Sequence, residues 1–340
     1  MREQVLAYLR SGTQPERAES LAIALFHEQR RASPLLAAMT ERPDGAAADP
    51  QGWAEIPALP VPLFKELAIR AFDGPAGRIF LTSGTTGAVR GRHELRDTTV
   101  YDTASWAHFQ ARCGAVPGTV WSLCPGPDGE SSLGHMVGHF AREGGVRLEQ
   151  LFDGEAGIAP DAMARLGGVG FLAATAFSLD ALFSGPGAAE LTPESLCMVT
   201  GGFKGRRVRL DSEALYRAIG ERLGSPRVVG EYGMTELSSQ LWTDPVAAGM
   251  VPGAFVAPRW LHVYTVDPVT AEPTATTGLL RFVDLANTDS YVAIETMDLG
   301  RVERCAEGDR VTLLGRAAGA ELRGCSLRAE DLLAAGRDPG

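Results

Sequence analysis

The sequence is poor in two residue types that carry specific chemistry. Lysine occurs only at Lys65 and Lys204, so arginine supplies nearly all of the side-chain cations. The 5 cysteines stand singly and form no Cys-x-x-Cys pair, which argues against a zinc site and against a disulfide framework. We therefore expect reduced thiols in a cytoplasmic protein. No run of about 18 uncharged apolar residues is present, so we expect no membrane span.

The charge balance excludes one class of partner. A net charge of -10 argues against nucleic acid, because phosphate backbones bind basic surfaces. With 340 residues, of which 45% are hydrophobic, the chain can bury a large core as one big domain or as two.

A glycine-rich loop at residues 81–91, Leu-Thr-Ser-Gly-Thr-Thr-Gly-Ala-Val-Arg-Gly, is the most informative stretch. It follows a short apolar run at residues 78–81 that predicts a buried strand. Its glycines let a ligand approach the backbone closely, and its hydroxyl and N–H groups can bind phosphates. A flexible loop without a ligand is the alternative interpretation.

Two familiar phosphate-binding loops do not fit this stretch. The nucleotide-triphosphatase loop needs a second glycine five positions after the first, but counting from Gly84 and Gly87 reaches Val89 and Arg92. The dinucleotide pattern Gly-x-Gly-x-x-Gly is also missing from this loop.

The rest of the chain predicts an α/β protein. Residues 1–40 show the apolar spacing of two or three amphipathic helices. Predicted strands at residues 119–123, 172–175, 196–200 and 227–230 then alternate with helices, which indicates a largely parallel, twisted sheet with helices on both faces. Ligands of such sheets bind beyond the carboxyl ends of the strands.

Three later segments combine side chains of distinct chemistry. The strand at residues 227–230 runs directly into Glu-Tyr-Gly-Met-Thr-Glu at residues 231–236. Thr-Met-Asp-Leu-Gly follows at residues 296–300, and Gly-Arg at residues 315–316. An ordinary turn with a helix cap is the alternative for the first of these.

These four motifs together resemble those of the adenylate-forming, acyl-activating enzyme superfamily. The first resembles Thr-Ser-Gly-Thr-Thr-Gly-x-Pro-Lys-Gly, with Val89 and Arg90 in place of Pro and Lys. The others resemble Tyr-Gly-x-Thr-Glu, Thr-x-Asp-Leu-Gly and the Gly-Arg hinge. The resemblance implies the family's large N-terminal domain, with twisted, mostly parallel sheets and flanking helices. We expect a helical region at residues 1–50, an adenylation domain at 51–314 and a remnant of a truncated mobile C-terminal domain at 315–340.

The resemblance also implies roles for single residues, with ATP and Mg²⁺ as cofactors. Tyr232 stacks on adenine, Thr235 contacts the α-phosphate, Glu236 binds the metal, and Asp298 accepts hydrogen bonds from the ribose hydroxyls. Mg²⁺ prefers one or two carboxylates together with nucleotide oxygens. The predicted nucleotide-binding residues are Thr82, Ser83, Gly84, Thr85, Thr86, Gly87, Arg90, Gly202, Glu231, Tyr232, Gly233, Thr235, Asp298 and Arg316.

A small-residue helix is expected to line the pocket for the carboxylic acid. His135 and His139 lie one helical turn apart, as in zinc proteases, but Met136 stands where those enzymes have a glutamate base. A substrate-lining helix is therefore favoured over a metal site. The predicted substrate-contacting residues are His135, Met136, Gly201 and Met234.

Within the superfamily, the sequence is most similar to the LuxE acyl-protein synthetases. Ile-Pro-x-Leu-Pro at residues 56–60, Gly-Gly-Phe-Lys at 201–204 and Arg-Gly-Cys-Ser-Leu at 323–327 carry this resemblance. It implies ATP-dependent activation of a carboxylic acid, expected to be a fatty acid, and transfer from AMP to Cys325. The implied partner is an acyl-CoA reductase or an acyl carrier protein.

Lys204 is the candidate replacement for the lysine of the family's C-terminal domain, because a cation near the α-phosphate offsets developing charge. A solvent-facing lysine is the alternative. The predicted catalytic residues are thus Lys204, Glu236 and Cys325. Two other functions stay open: a ligase that loads coenzyme A or a phosphopantetheine carrier protein, with Cys325 as a bystander, and a non-enzymatic adenylate-binding scaffold.

Overall fold

Helices and strands alternate along most of the chain, in a computed structural model that describes residues 1–11, 16–42, 44–83, 89–154, 157–201 and 211–317. The α-helices are α1 (Arg2–Ser11), α2 (Glu16–Ala32), α3 (Pro34–Met39), α4 (Leu63–Glu66), α5 (Thr99–Cys113), α6 (Ser132–Glu143), α7 (Ala162–Arg165), α8 (Ala176–Ser184) and α9 (Ser212–Arg222). None of the helices in these ranges is both long enough and apolar enough to cross a membrane.

The strands are shorter and more numerous than the helices. They are β1 (Leu59–Pro60), β2 (Arg78–Leu81), β3 (Arg92–Leu95), β4 (Thr119–Leu123), β5 (Leu148–Gln150), β6 (Phe152–Asp153), β7 (Gly157–Ile158), β8 (Gly170–Thr175), β9 (Leu196–Thr200), β10 (Arg227–Tyr232), β11 (Leu241–Trp242), β12 (Val246–Ala247), β13 (Phe255–Val256), β14 (Leu261–Val266), β15 (Pro273–Thr274), β16 (Gly278–Asp284), β17 (Ala293–Glu303) and β18 (Arg310–Arg316).

The described residues divide into two compact units. The first unit contains residues 1–105 and 234–239 and the part of the chain from residue 256 onward, and the second contains residues 106–233 and 240–255. The division falls inside the motif at residues 231–236. Glu231, Tyr232 and Gly233 therefore belong to the second unit, and Met234, Thr235 and Glu236 belong to the first.

The second unit is built on a parallel sheet with the strand order β5-β4-β8-β9-β10. On one face, Leu179 of α8 and Ile219 of α9 pack against apolar residues of the strands. On the other face, the ring of Phe109 lies 4.4 Å from that of Phe140 and 5.5 Å from that of Phe171, measured between centroids. Both faces are thus covered, which explains why β8 and β9 are almost continuously apolar.

The first unit is built on an antiparallel sheet with the order β15-β14-β16-β17-β18, and β1 adds to β17 in parallel. Helix α2 is tied to the segment that connects β16 with β17. There, Gln29 donates a hydrogen bond to the Asn287 carbonyl at 2.7 Å and accepts one from the Val292 N–H at 3.0 Å.

The α/β fold expected from the sequence is confirmed. Helix α9 begins after Asp211, whose carboxylate accepts a hydrogen bond from the Ala214 N–H at 2.8 Å as a cap. Strand β2 differs from the expectation of a buried strand, because only Phe80 of its four residues is buried. It pairs antiparallel with β3, a strand that the sequence did not predict. The domain boundaries at residues 50 and 314 stay a prediction.

Gly170 is required by the close contact between β4 and β8. A methyl group added there would lie 2.1 Å from the Trp121 ring and 2.6 Å from the Thr119 carbonyl oxygen. We predict that Gly170→Ala lowers the free energy of unfolding by about 1–3 kcal/mol, because overpacking must displace backbone or ring atoms. Thermal unfolding measures the effect. The control is Gly167→Ala, where nothing lies within 4 Å of the added methyl group; equal losses in both variants would contradict the packing argument.

Candidate active site

The base of the glycine-rich loop is closed by hydrogen bonds between Thr82 and Gly91. The Thr82 N–H donates to the Gly91 carbonyl at 2.9 Å, and the Gly91 N–H donates to the Thr82 hydroxyl at 2.8 Å. The β2–β3 hairpin thus fixes where the loop leaves and returns. Ser83 is exposed at this point, and Gly84, Thr85, Thr86 and Gly87 lie outside the described residues.

Arg90 also binds the base of the loop. Its Nε donates to the Thr82 carbonyl at 2.7 Å, and one terminal nitrogen donates to the Leu81 carbonyl at 3.3 Å. The sequence interpretation placed this guanidinium beside phosphates. The structure adds a role in closing the hairpin, which uses the forked donor geometry that a lysine lacks; the phosphate contact stays a prediction.

The Glu236 carboxylate lies against the end of the same loop. A Cβ atom built on Gly91 would lie 3.3 Å from Glu236 Oε1 and 3.0 Å from the Thr82 methyl group. The carboxylate is buried. Because a side chain at position 91 would crowd these atoms, glycine lets the loop and the carboxylate approach each other. This contact joins two of the sequence-predicted motifs within the first unit.

The donor set at Glu236 fits Mg²⁺ bound together with a nucleotide. Among the residues that the structure describes, no three His, Cys, Asp or Glu side chains come together as a metal-binding group. A hard cation at Glu236 would therefore depend on phosphate oxygens for most of its ligands, which is the usual arrangement for Mg²⁺.

The backbone carbonyl of Thr235 is hydrogen-bonded to His93 of β3. His93 Nδ1 lies 2.6 Å from the Thr235 carbonyl oxygen, and His93 Nε2 lies 2.8 Å from the Ser290 hydroxyl. A carbonyl can only accept, so Nδ1 carries the proton and Nε2 accepts from Ser290. Burial lowers the pKa of His93 from 6.5 to about 4, against a smaller opposing contribution from the Thr235 hydrogen bond. The imidazole is therefore neutral at pH 7.

Two further buried side chains hold the backbone that follows Glu236. Asn287 donates to the Glu236 carbonyl at 3.0 Å and accepts from the Ser238 N–H at 2.8 Å. Asp284 accepts from the N–H groups of Ser238 at 3.1 Å and Ser239 at 2.9 Å, and from the Ser239 hydroxyl at 2.7 Å. Burial raises the pKa of Asp284 to about 6, although these hydrogen bonds favour its charged form.

Asp298 lies in β17 opposite Arg316 of β18. Arg316 Nε donates to the Asp298 carboxylate at 3.2 Å, and the two residues are cross-strand partners. The carboxylate is buried, whereas the arginine is half-exposed. The antiparallel register thus brings together two residues that the sequence assigned to nucleotide binding from separate motifs.

The second unit carries Glu231, Tyr232 and Gly233 at the end of β10. The Thr200 hydroxyl donates to the buried Glu231 carboxylate. Tyr232 is buried, and its ring centroid lies 5.9 Å from that of Phe255. A Cβ atom on Gly233 would lie 2.5 Å from Glu231 Oε1, so the glycine makes room for this carboxylate.

The predicted substrate residues are distributed over both units. His135 and Met136 lie on α6 of the second unit, capped by Ser131, and both are buried. Gly201 follows β9 with φ +70, a left-handed conformation suited to glycine. Met234, in the first unit, is half-buried. The roles of these residues toward an acid stay predictions. Gly202, Lys204 and Cys325 lie outside the described residues.

The sequence interpretation assigned no role to His93, Asp284 or Asn287, although the run at residues 284–290 was one of the features similar to the LuxE family. The run from residue 284 to residue 290, Asp-Leu-Ala-Asn-Thr-Asp-Ser, is polar enough to indicate an exposed loop, yet every residue in it is buried. A polar run directly between two apolar strands was the available signal. Its hydrogen-bonding partners are distant in sequence, so the pattern alone could not name them.

Comparison with known proteins identifies the fold. Neither models of protein families nor curated proteins match this chain. Among solved structures, an open conformation of 2-hydroxyisobutyryl-CoA ligase, in complex with 2-HIB-AMP and CoA, is 13% identical. The similarity covers 87% of this chain and 73% of that ligase, with a TM-score of 0.58. This chain has the fold of the adenylate-forming ligases.

Two further structures are similar over a smaller part of their length. ATP-bound MatB from Rhodopseudomonas palustris is 20% identical over 70% of this chain and 47% of its own, with a TM-score of 0.46. A variant of E. coli MenE with bound OSB-AMS is 16% identical over 70% of this chain and 48% of its own, with a TM-score of 0.43. This chain spans about half the length of these two structures.

The buried neutral His93 predicts a pH-dependent loss of stability. The unfolded chain takes up this proton as the pH falls through 6.5, but the folded chain resists it down to about 4. The contribution of His93 to the free energy of unfolding is therefore complete above pH 6.5. As the pH falls from 6.5 to about 4, this free energy decreases by about 3 kcal/mol in total. We expect the difference in unfolding free energy between wild type and His93→Asn to shrink by about this amount from pH 7 to pH 4.

Denaturant titrations across that pH range measure the difference. The raised pKa of Asp284 has the opposite effect, because protonation of this carboxyl stabilises the folded state as the pH falls. Asp284 is present in both proteins, so its contribution cancels from the difference. His27→Gln, which removes a histidine next to Asp49, controls for the loss of a histidine elsewhere. A difference between wild type and His93→Asn that does not change with pH would contradict a neutral, buried His93.

Proposed function

We propose that this protein activates a carboxylic acid with ATP and then transfers the acyl group to a thiol. The observation that supports this most directly is the contact of Glu236 with Gly91 at the end of the glycine-rich loop. A carboxylate held at the edge of a loop of small hydroxyl residues suits a magnesium-bound polyphosphate. The shared fold with a ligase in complex with 2-HIB-AMP and CoA adds to this support.

In the proposed first step, an oxygen of the substrate carboxylate attacks the α-phosphorus of ATP. The bond between the α- and β-phosphates breaks, pyrophosphate leaves, and acyl-AMP remains. The Thr235 hydroxyl would donate to the α-phosphate, and Asp298 would accept from the ribose hydroxyls. The hydrogen bond from Arg316 orients the Asp298 carboxylate for this purpose. Tyr232 would stack on the adenine.

Mg²⁺ would be held by Glu236 and would offset the charge of the leaving phosphates when bound. Gly84, Thr85, Thr86 and Gly87 would bind the same phosphates through backbone N–H groups and hydroxyls. Lys204 would supply a positive charge that offsets the negative charge developing at the α-phosphate. These assignments follow from the resemblance of the motifs to those of the adenylate-forming enzymes.

In the proposed second step, a thiolate attacks the acyl carbonyl, the mixed anhydride breaks, and AMP leaves. A thiolate suits this step because sulfur is the strongest nucleophile among protein groups at neutral pH. We place Cys325 in this role, and Arg323 and Arg328, its neighbours in the sequence, would favour its thiolate form. A fatty acid is the proposed substrate, and an acyl-CoA reductase or an acyl carrier protein is the proposed next acceptor.

Coenzyme A is the rival acceptor. The ligase that shares this fold over 87% of the chain carries CoA together with an acyl-AMP. In that case the first step is unchanged, and Cys325 takes no part in the second step.

Removal of the metal-binding carboxylate tests the first step. We expect Glu236→Gln to lower ATP–pyrophosphate exchange by about 10²-fold, because an amide oxygen cannot hold Mg²⁺ or balance its charge as a carboxylate does. The exchange rate is measured with a panel of fatty and aromatic acids. Glu303→Gln, at an exposed position of β17, removes the same charge and should leave the rate within about twofold. Wild-type protein that shows no exchange with any acid would favour the scaffold interpretation.

Removal of single thiols tests the second step. With Cys325→Ser, we expect labelled acyl groups to stop accumulating on the protein, while ATP–pyrophosphate exchange continues, because only the acceptor is lost. Transfer is followed as protein-bound label released by hydroxylamine, which cleaves thioesters. Cys305→Ser, which removes an exposed thiol, should retain the label. Labelling that persists in Cys325→Ser, or label found on CoA alone, would identify a different acceptor.

A further inference from the structure

We propose that His93, Asn287 and Asp284 are positioning residues that fix the backbone of residues 235–239 and, through it, the Thr235 hydroxyl and the Glu236 carboxylate. The effect of this positioning on nucleotide binding rests on the proposed function. His93 lies in strand β3, Asp284 ends β16, and Asn287 lies between β16 and β17. All three belong to the first unit, together with the backbone that they hold.

The backbone of residues 235–239 makes one turn hydrogen bond, from the Leu237 N–H to the Met234 carbonyl at 3.2 Å, and this leaves other polar groups to be satisfied. It forms neither a helix nor a strand, and residues 236–239 are buried. Buried N–H and carbonyl groups without partners are costly, so an irregular buried segment needs hydrogen bonds from side chains. His93 binds the Thr235 carbonyl, Asn287 binds the Glu236 carbonyl, and Asp284 accepts from the N–H groups of Ser238 and Ser239.

These contacts come from both sides of the metal-binding residue. His93 holds the carbonyl that precedes Glu236, and Asn287 holds the carbonyl that follows it. One fixed peptide unit on each side restricts the backbone dihedral angles of Glu236. The carboxylate is thereby held against Gly91, before any nucleotide arrives.

The hydrogen bond from His93 has a defined direction. Ser290 donates to Nε2, which leaves the proton on Nδ1 to be donated to the Thr235 carbonyl. Phe64 packs edge-on against the imidazole with a centroid distance of 6.3 Å, which fixes the plane of the ring. His93 thus acts on the motif through Thr235 and does not itself need to touch the substrate.

A matched pair of substitutions separates positioning from general packing. In His93→Asn, the side-chain amide nitrogen stands one bond from Cγ, as Nδ1 does, and can still donate to Thr235. In His93→Gln, the amide lies one bond farther out, near Nε2, and loses this contact while keeping one to Ser290. We therefore expect Asn to retain the function of His93 and Gln to lose it, although both replace an imidazole with an amide.

The first measurement is amide hydrogen exchange of the ligand-free protein over residues 234–239. We expect exchange to be about tenfold faster in His93→Gln than in wild type and within about threefold of wild type in His93→Asn. Exchange in β9 of the second unit serves as the internal reference for global opening. His27→Gln should leave exchange over residues 234–239 unchanged.

The second measurement is the apparent dissociation constant of MgATP, taken from the rise in melting temperature on titration. We expect it to increase about tenfold in His93→Gln and less than threefold in His93→Asn, with ATP plus EDTA as the metal-free comparison. A wild-type protein that MgATP does not stabilise would overturn the proposed function, while hydrogen exchange would still decide whether His93 positions the backbone.

Equal exchange rates in the Asn and Gln variants would overturn the inference, because a purely structural histidine would not distinguish them. If His93→Gln does not fold, Ser290→Ala takes its place. It removes the hydroxyl that donates to Nε2, so the proton of His93 is no longer fixed on Nδ1. Amide exchange over residues 234–239 should therefore become about threefold faster. Unchanged exchange in Ser290→Ala would likewise overturn the inference.

Discussion

The first unit depends on satisfying a buried segment of backbone that has no regular structure. Two residues separate the end of strand β10 from residues 235–239, which form neither helix nor strand. Side chains of β3, of the end of β16 and of the β16–β17 connection supply hydrogen-bonding partners. Because an unpaired buried N–H or carbonyl group costs about 1–3 kcal/mol, these contacts determine the path of the chain through the site.

The buried acidic side chains of the first unit differ in how their charge is compensated. Asp298 has the guanidinium of Arg316 across the β17–β18 ladder. Among the described residues, the donors to Asp284 are N–H and hydroxyl groups and no cation, and burial raises its pKa to about 6. A buried carboxylate surrounded by donors is already satisfied by the protein and has a structural role. Glu236 is also buried, and its Oε1 lies 3.3 Å from a Cβ atom built on Gly91 at the end of the glycine-rich loop.

Small residues make these contacts possible. Gly91 lets the loop end meet Glu236, and Gly233 makes room for the Glu231 carboxylate at the end of β10. In both cases a single added carbon would crowd a carboxylate oxygen. The glycines of these motifs therefore serve close approach as much as backbone flexibility. Gly233 and Glu231 belong to one motif, whereas Gly91 and Glu236 come from two motifs that the fold brings together.

The amino-acid sequence determined the features whose physical cause is local. Apolar periodicity and capping residues predicted α6, α9 and the parallel strands, because a cap such as Asp211 binds a backbone group only three residues away. The short motifs likewise predicted Glu236 and Asp298. Only the tertiary structure decided that Arg90 closes its own hairpin and that residues 284–290 are buried. The contacts of His93 and Asn287 join residues 142 and 49 positions apart, and no local pattern specifies which distant donor meets which acceptor.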